Sequence, residues 1–502
     1  MATDQQSVYD EFVDHVRRLS NINYANGILS WDQQVMMPEG GTPARSQQMS
    51  TLSTLHHDLL TGEETDDYLS SLDTMDLSEE QSAVVREVRR QYERANRVPA
   101  ELVEEISQTT SEALPVWKEA KANDDFETFA PTLSHLVELK REYAEHIDPD
   151  ADPYAVLFAD YEPYLDLETA ERVLERLRDR LVPLIENIGN KADGAALSTD
   201  AFSGTYDSET QEELCRAVLD RLGYPWEHGR LDVAPHPFSL GSQFDARVTT
   251  RFNEADPIDA FTSTVHEFGH ATYTLGLPRE HYGTPLGSSR NLSVHESQSR
   301  LWENHVGRSQ PFWEQFLPTM AEHFPQTSDV TAREAYEAAN QVYDDNLIRV
   351  EADELTYHMH IILRFEIERQ LIDGELDVAE VPQVWNDKME EYLGVRPETD
   401  STGCLQDIHW SHASFGYFPT YSLGSVLAAQ LFAAATEDIP DIEDQIRSGE
   451  FDALHDWLTE NVHQHGQRYT TPDLVREATG EDYTADYFLD YVEEKYSELY
   501  NL

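Results

Sequence analysis

The chain has 502 residues and a formal charge of -60, from 96 acidic against 36 basic residues, and 39% of it is apolar. The acids are spread over the whole length, which argues for an acidic surface on a folded protein and against a disordered tail; such a surface repels nucleic acid and anionic membranes. Two cysteines, Cys215 and Cys404, exclude a disulfide framework, and no uncharged run reaches the roughly 18 residues that span a bilayer.

Apolar positions at 9, 12, 13, 16 and 19 predict a first amphipathic helix over 8–19, before W-D-Q-Q-V-M-M-P-E-G-G-T-P breaks regularity. A second helix is expected over 44–60. The polar stretch 61–76 reads either as a linker or as a loop between helices. Spaced apolar stripes predict helices over 78–96, 99–122 and 126–146. The Tyr- and Pro-rich segment 153–165 reads as a connector, and two more helices cover 167–191 and 208–222. One strand is expected, Q-F-D-A-R-V-T-T-R-F at 243–252, where Phe244, Ala246, Val248 and Thr250 alternate with polar neighbours. A helix with no proline from Ala260 to Leu277 follows, then an amphipathic segment from Val294. A long helix is expected over 330–374 and a shorter one over 381–393. The stretch 403–421 is aromatic and irregular, 423–436 is an Ala-rich buried helix, and short acidic helices close the chain. The whole is mostly helical, with a small β element and no repeat of fixed period.

Lysine occurs only at 118, 121, 140, 191, 388 and 495, so arginine carries most positive charge. This composition resembles that of proteins from salt-loving (halophilic) prokaryotes. The N-terminus, M-A-T-D-Q-Q-S, lacks the basic and apolar regions of a signal peptide, so a cytoplasmic protein is expected.

The chemistry is concentrated in T-S-T-V-H-E-F-G-H-A-T-Y. His266 and His270 stand four apart and share one helical face, so both reach one metal ion, with Glu267 between them as a base. Val294-His295-Glu296-Ser297-Gln298 offers a third ligand. Two histidines and one glutamate form a common catalytic zinc set, which favours Glu296. His295 is the competitor, although adjacent helical residues point about 100° apart and only one of the two faces a metal.

Further motifs line up with one family. They are His236-Pro237-Phe238, Asp245-Ala246-Arg247-Val248-Thr249, the two metal motifs, Leu363-Arg364-Phe365 and Gly403-x-x-Gln406-Asp407-x-His409-Trp410. In this order they resemble the Taq-type metallocarboxypeptidases of the neurolysin-like gluzincin superfamily. Tyr164 departs from the pattern at a position where glycine is expected.

The resemblance implies an all-α-dominated, neurolysin-like zincin fold in one catalytic domain over 1–502, with a small antiparallel sheet beside a deep active-site cleft. Helices within about 1–75 would form a lid, and the resemblance makes 61–76 a loop rather than a linker. It also implies a homodimer, one Zn2+ (or Co2+) per subunit, and release of single C-terminal residues from peptide substrates with broad specificity. Internal cutting, as by a neurolysin-like oligopeptidase, is the alternative, and a metal-containing scaffold without catalysis is disfavoured because base and ligands are all present.

In that frame Glu267 activates water, and His412, Tyr417 and Tyr421 are donor candidates for the oxyanion, their spacing being similar to the donor segment of neurolysin-like enzymes. Arg364, in an apolar run, needs either an internal acid or the substrate's terminal carboxylate, and the resemblance favours the carboxylate. Gln406 and His409 are placed in the same substrate-binding region. His236, Asp245, Arg247 and Thr249 are expected to support the sheet rather than do chemistry.

Overall fold

The computed structural model describes residues 2–191, 197–343 and 345–502. α1 (Ala2–Val35) runs through the expected 8–19 helix and beyond it, ending just before Pro38 and the glycine pair. α2 (Thr42–Thr61) follows. The stretch 61–76, expected as a loop, instead holds α3 (Glu63–Leu72). Its acids Glu63, Glu64 and Asp66 lie in the first turn, where the helix dipole favours negative charge, while Leu69 and Leu72 bury with Phe12 and Val16 of α1.

α4 (Glu79–Arg97) opens with a reciprocal cap: Gln81 N donates to Ser78 Oγ at 3.2 Å, and Ser78 N donates to Gln81 Oε1 at 3.0 Å. α5 (Ala100–Asn123) and α6 (Phe126–Ile147) lie within a residue or two of expectation. The connector at 153–165 contains a short α7 (Pro153–Phe158), and α8 (Leu167–Lys191) and α9 (Ser208–Leu222) have the expected bounds. Tyr164, where glycine was expected, has φ of 68°, in the left-handed region. Its ring faces the guanidinium carbons of Arg86 and Arg290, each at 5.3 Å, and of Arg90 at 5.9 Å, contacts that offset the backbone cost.

The sheet has three strands, β1 (Leu231–Val233), β2 (Ser239–Ser242) and β3 (Asp245–Thr250), in the order β1-β3-β2. It is mixed, not purely antiparallel. β2 and β3 form a hairpin with Leu240 opposite Arg247, whereas the chain re-enters so that β1 runs parallel to β3 with Leu231 opposite Val248.

α10 (Pro257–Gly276) leaves β3, capped by Asp256, whose side chain accepts from Ile258 N at 2.9 Å. α11 (Leu292–Arg300) passes into a wide π-helical turn, Leu301–Gly307, before α12 (Gln310–His323). The single helix expected over 330–374 is two, α13 (Ala332–Ala339) and α14 (Thr356–Asp373). Asn340 ends the first by turning its amide onto the carbonyls of Tyr336 and Arg308, at 2.8 and 2.9 Å. Asp353 starts the second by accepting from Leu355 N and Thr356 N, both at 3.0 Å. Between them Arg349, Val350, Ala352, Asp353 and Glu354 line the cleft. α15 (Val381–Leu393), α16 (Pro419–Asp438), α17 (Ile442–Ser448), α18 (Asp452–Asn461), α19 (Thr471–Thr479) and α20 (Asp486–Tyr500) complete the chain.

Apolar side chains form two separate clusters. The large one runs from α5 to α20 and includes Val265, Phe268, Trp302 and Leu427. The small one joins Phe12 and Val16 of α1, Leu69 and Leu72 of α3, Val84 and Val88 of α4, and Leu286. Among the described residues no helix is long and apolar enough to cross a membrane.

Candidate metal centre and cleft

Small residues bring three helices close enough to build the site. On α10, a Cβ at Gly269 would lie 2.5 Å from both Gln298 O and Ser299 Cα of α11. On α16, a Cβ at Gly424 would lie 2.5 Å from Glu296 Cβ. Glu296 is thereby carried against the two histidines of α10. The ligand atoms of His266, His270 and Glu296 all lie within 4.8 Å of one another. Glu296 Oε2 is 3.7 Å from His266 Nε2 and 3.5 Å from His270 Nε2.

Each member is oriented from behind. His266 Nδ1 donates to Glu303 Oε2 at 2.9 Å, and His270 Nδ1 donates to the His295 carbonyl at 3.1 Å. Both acceptors require the proton on Nδ1, which leaves each Nε2 with its lone pair towards the shared point. Arg300 Nε donates to Glu296 Oε1 at 2.7 Å, so Glu296 keeps its other oxygen for that point. Glu303 also accepts from Arg300 at 3.2 Å and Arg308 at 2.9 Å. Desolvation opposes ionisation of Glu296 and Glu303, but Arg300, with Arg308 and the histidines, outweighs it and holds both carboxyls well below the usual range. His295, the competing ligand, packs its ring against His270 with centroids 4.6 Å apart, and burial pushes its imidazole down to about 3, so it stays neutral.

Glu267 is buried beside this set, and desolvation raises its carboxyl above the ordinary value. Its Oε2 has no hydrogen-bond partner among the described residues. An orphaned carboxylate oxygen next to two lone-pair imidazoles and an ionised carboxylate fits a divalent cation with a water beside it. No other group of three or more His, Cys, Asp or Glu side chains among the described residues has ligand spacing.

The set opens on a cavity of about 390 Å³ lined by His236, Arg251, Arg300, Arg349, Tyr357 and Tyr421, among others. His236 therefore reaches the cleft, while the rest of its group supports the sheet. Thr249 Oγ1 accepts from Phe238 N at 2.8 Å and donates to Phe238 O at 2.9 Å. Arg247, bonded to Asp245 at 2.6 Å, lies 4.6 Å over one side of the Trp31 ring, with Arg230 at 4.9 Å.

Arg364 stands elsewhere than the sequence led us to expect. Its side chain is 1% exposed and ion-paired with Asp407, whose Oδ2 lies 2.6 Å from Nη2 and accepts a hydrogen bond from Nε at 2.7 Å. It lies 4.4 Å over the Trp385 ring, behind Asp407 and off the cleft. The internal-acid alternative describes it. Four arginines line the cleft, Arg251, Arg300, Arg308 and Arg349, and sequence reasoning missed Arg349. Arg349 donates to the same Asp407 at 2.8 Å and to Tyr357 OH at 3.1 Å. Nothing local marked Arg349, which lies in a segment read as mid-helix. Glu303 was also missed, although it stands seven residues after Glu296, two helical turns along.

Gln406, expected at the substrate, is spent on backbone. Its Oε1 accepts from Arg349 N at 2.9 Å and its Nε2 donates to Leu347 O at 3.0 Å and Thr402 O at 2.9 Å. His409 packs at a tilt against Phe418 with centroids at 4.4 Å, and burial pushes its imidazole down to about 3, so it stays neutral. Of the donor candidates, Tyr421 lines the cleft, with Tyr417 edge-on to it at 5.3 Å. His412 is exposed on its turn and outside the cleft lining.

A mainly helical body with a His-Glu-x-x-His helix, a distant glutamate and a peptide-sized cleft defines a metallopeptidase. Residues 11–496 match the family described as carboxypeptidase Taq (M32) metallopeptidase. The thermostable carboxypeptidase 1 of Pyrococcus furiosus is 39% identical over 495 residues, covering 98% of this chain and 99% of that protein. That of Thermus thermophilus is 37% identical, covering 99% of each chain. The solved M32 carboxypeptidase of Deinococcus radiodurans superposes with a TM-score of 0.95 at 37% identity, covering 99% of this chain and 100% of its own. The chain belongs to the M32 family and is a metallocarboxypeptidase.

Proposed function

We propose that the protein releases single C-terminal residues from peptides, using one divalent cation held by His266, His270 and Glu296. The observation that carries this reading is the orphaned Glu267 oxygen beside a set of two imidazoles and one carboxylate at the cleft. That donor set favours zinc, with cobalt as the alternative. When bound, the ion supplies Lewis acidity, polarising the scissile carbonyl and acidifying water. Glu267 takes a proton from the attacking water and returns it to the leaving amine. Burial raises its carboxyl above the ordinary value, which favours holding the proton between the two transfers. Tyr421, supported by Tyr417, donates to the developing oxyanion.

Arg349 replaces Arg364 as the anchor for the substrate's terminal carboxylate: of the arginines lining the cleft, Arg251 is paired with Asp259 and Arg300 and Arg308 with Glu303, whereas Arg349 shares its carboxylate, Asp407, with Arg364. Arg364 and Asp407 behind it fix its position. The N-terminal helices are read as a lid over the cleft. A cytoplasmic homodimer in a salt-adapted organism belongs to the same reading; the dimer rests on the family resemblance and the salt adaptation on the charge of -60.

The test compares N-blocked peptides carrying free or amidated C-termini, with and without a chelator. The free-acid peptide should lose one residue at a time, the amide should be a poor substrate, and the chelator should abolish turnover. Equal cleavage of both peptides at internal bonds would replace this reading with that of an oligopeptidase.

A further inference from the structure

The aromatic stretch between α15 and α16 is tied down at two places. At the first, Gln406 and Asp407 hold Arg349. At the second, the partner is Glu368 on α14, one turn beyond Arg364. Glu368 is fully buried, and among the described residues no cation lies within ion-pair distance of it. Its oxygens instead accept from three donors: Trp410 Nε1 at 2.9 Å on Oε1, and Gly416 N at 3.0 Å and Tyr154 OH at 3.1 Å on Oε2. Burial raises its carboxyl to about 7, against the pull of these bonds and of Arg364.

The chain has little freedom at this point. Gly416 has φ of 88°, and a Cβ there would lie 2.7 Å from Phe158 N. Tyr417 follows directly, edge-on to Tyr161 at 5.1 Å and to Tyr421 at 5.3 Å. A small displacement of Gly416 is therefore passed to the two tyrosines at the cleft. Glutamine at 368 would offer one acceptor oxygen to three donors and set its own amide hydrogens against one of them.

We infer that Glu368 is a positioning residue, which fixes residues 409–416 through Trp410 and Gly416 and so sets the tyrosine pair for the chemical step. The inference rests on the reading of Tyr421 as an oxyanion donor. It assigns no contact with substrate to Glu368 itself.

The test uses the metal-loaded full chain. Glu368→Gln should lower kcat roughly tenfold or more with KM within about twofold, because a transition-state interaction is lost and ground-state binding is not. Bound metal should be unchanged. Hydrogen exchange over 409–417 should speed up while exchange in α10 stays as in the wild type. In a Tyr421→Phe background the same change should cost no more than about threefold, since the residue it acts through is already gone. Trp410→Phe removes one of the three donors and keeps the carboxylate; it should move kcat in the same direction by less, and it serves if Glu368→Gln does not fold. Unchanged exchange, unchanged kcat, or losses that multiply in the double variant would overturn the inference. Full kcat in Tyr421→Phe alone would instead overturn the donor reading.

Discussion

Gly424 of α16 faces Glu296 of α11 so closely that a Cβ on it would lie 2.5 Å from both Glu296 Cβ and Cγ. The proposed third ligand is thus held by an absence of side chain on the opposite helix. Gly424→Ala should force the helices apart or swing Glu296 off the histidines, and overpacking of this kind costs about 1–3 kcal/mol. We expect a lower melting temperature together with at least tenfold weaker metal binding, read by competition with a chromogenic chelator. A melting shift with unchanged affinity would show that the helices yield and the ligand does not.

The metal set makes a second prediction. His266→Ala, His270→Ala and Glu296→Ala should each lose bound metal and activity together, whereas Glu267→Gln should keep the metal and lose turnover. Glu303→Gln tests the layer behind. It leaves His266 in place but weakens the acceptor for its Nδ1–H at 2.9 Å, so metal affinity should drop about 10- to 100-fold. Elemental analysis of the purified variants decides each case. Full occupancy in Glu296→Ala would show that the third ligand is another residue.

The two arginines on Asp407 should separate by function. Losing a bond to a charged group in a desolvated site costs about 1.5–3 kcal/mol, so Arg349→Ala should lower kcat/KM for free-acid peptides roughly tenfold to more than a hundredfold. Rates on amidated peptides, already poor, should hardly change. Arg364→Ala should show itself in stability, since breaking a buried pair costs about 3–5 kcal/mol. If Arg364→Ala abolished the preference for free acids while Arg349→Ala kept it, the assignment on the cleft wall would be reversed.

Much of this site was legible because its spacing is local. His266, Glu267 and His270 lie in one helical turn, and Glu296 stands in a short motif of its own. The arginines were not legible, because each is a guanidinium near apolar residues and only the tertiary path decides which one faces the cleft. The same limit explains the helices. Stripes over 167–191 and 208–222 are long and regular, and both helices have the expected bounds. α3 buries few side chains, and the break at 340–355 depends on Asn340 and Asp353 side chains bonding backbone. β1 and β2, three and four residues long, exist through pairing with β3 and carry too little pattern to read alone.

Stability should depend on pH through Glu162. This buried carboxyl accepts from Ser293 N and Ser293 Oγ, each at 2.6 Å, and from the Asn291 amide, capping α11. Burial raises it from 4.5 to about 8. The folded state therefore holds a proton that the unfolded chain releases, so this contribution is fully present below about pH 4.5 and is lost as pH rises through about 8. One group changes stability by at most about 1.4 kcal/mol per pH unit. Denaturant melts of wild type and Glu162→Gln between those limits should diverge in slope, the variant being flatter. Parallel slopes would remove Glu162 as the source.

Salt should stabilise the protein strongly. With a charge of -60, self-repulsion is long-ranged at 0.01 M salt, where the Debye length is roughly 30 Å, and short-ranged at 1 M, where it is roughly 3 Å. Melting temperature should climb steeply across that range. A flat profile would sink the halophilic reading of the composition.

The small apolar cluster of α1, α3 and α4 does not merge with the large one. Much of what joins the two is a seam of guanidinium contacts: Arg290 to Glu87 at 2.8 Å, Arg94 to Asp160, Arg90 to the Ala159 carbonyl, and Arg230 and Arg247 over the Trp31 ring. Such directional contacts, unlike a continuous apolar core, let the N-terminal helices open as a unit of their own, at a free energy expected to lie below that of global unfolding. On that expectation the enzyme has two thresholds of disorder, and the lower one belongs to the part read as its lid.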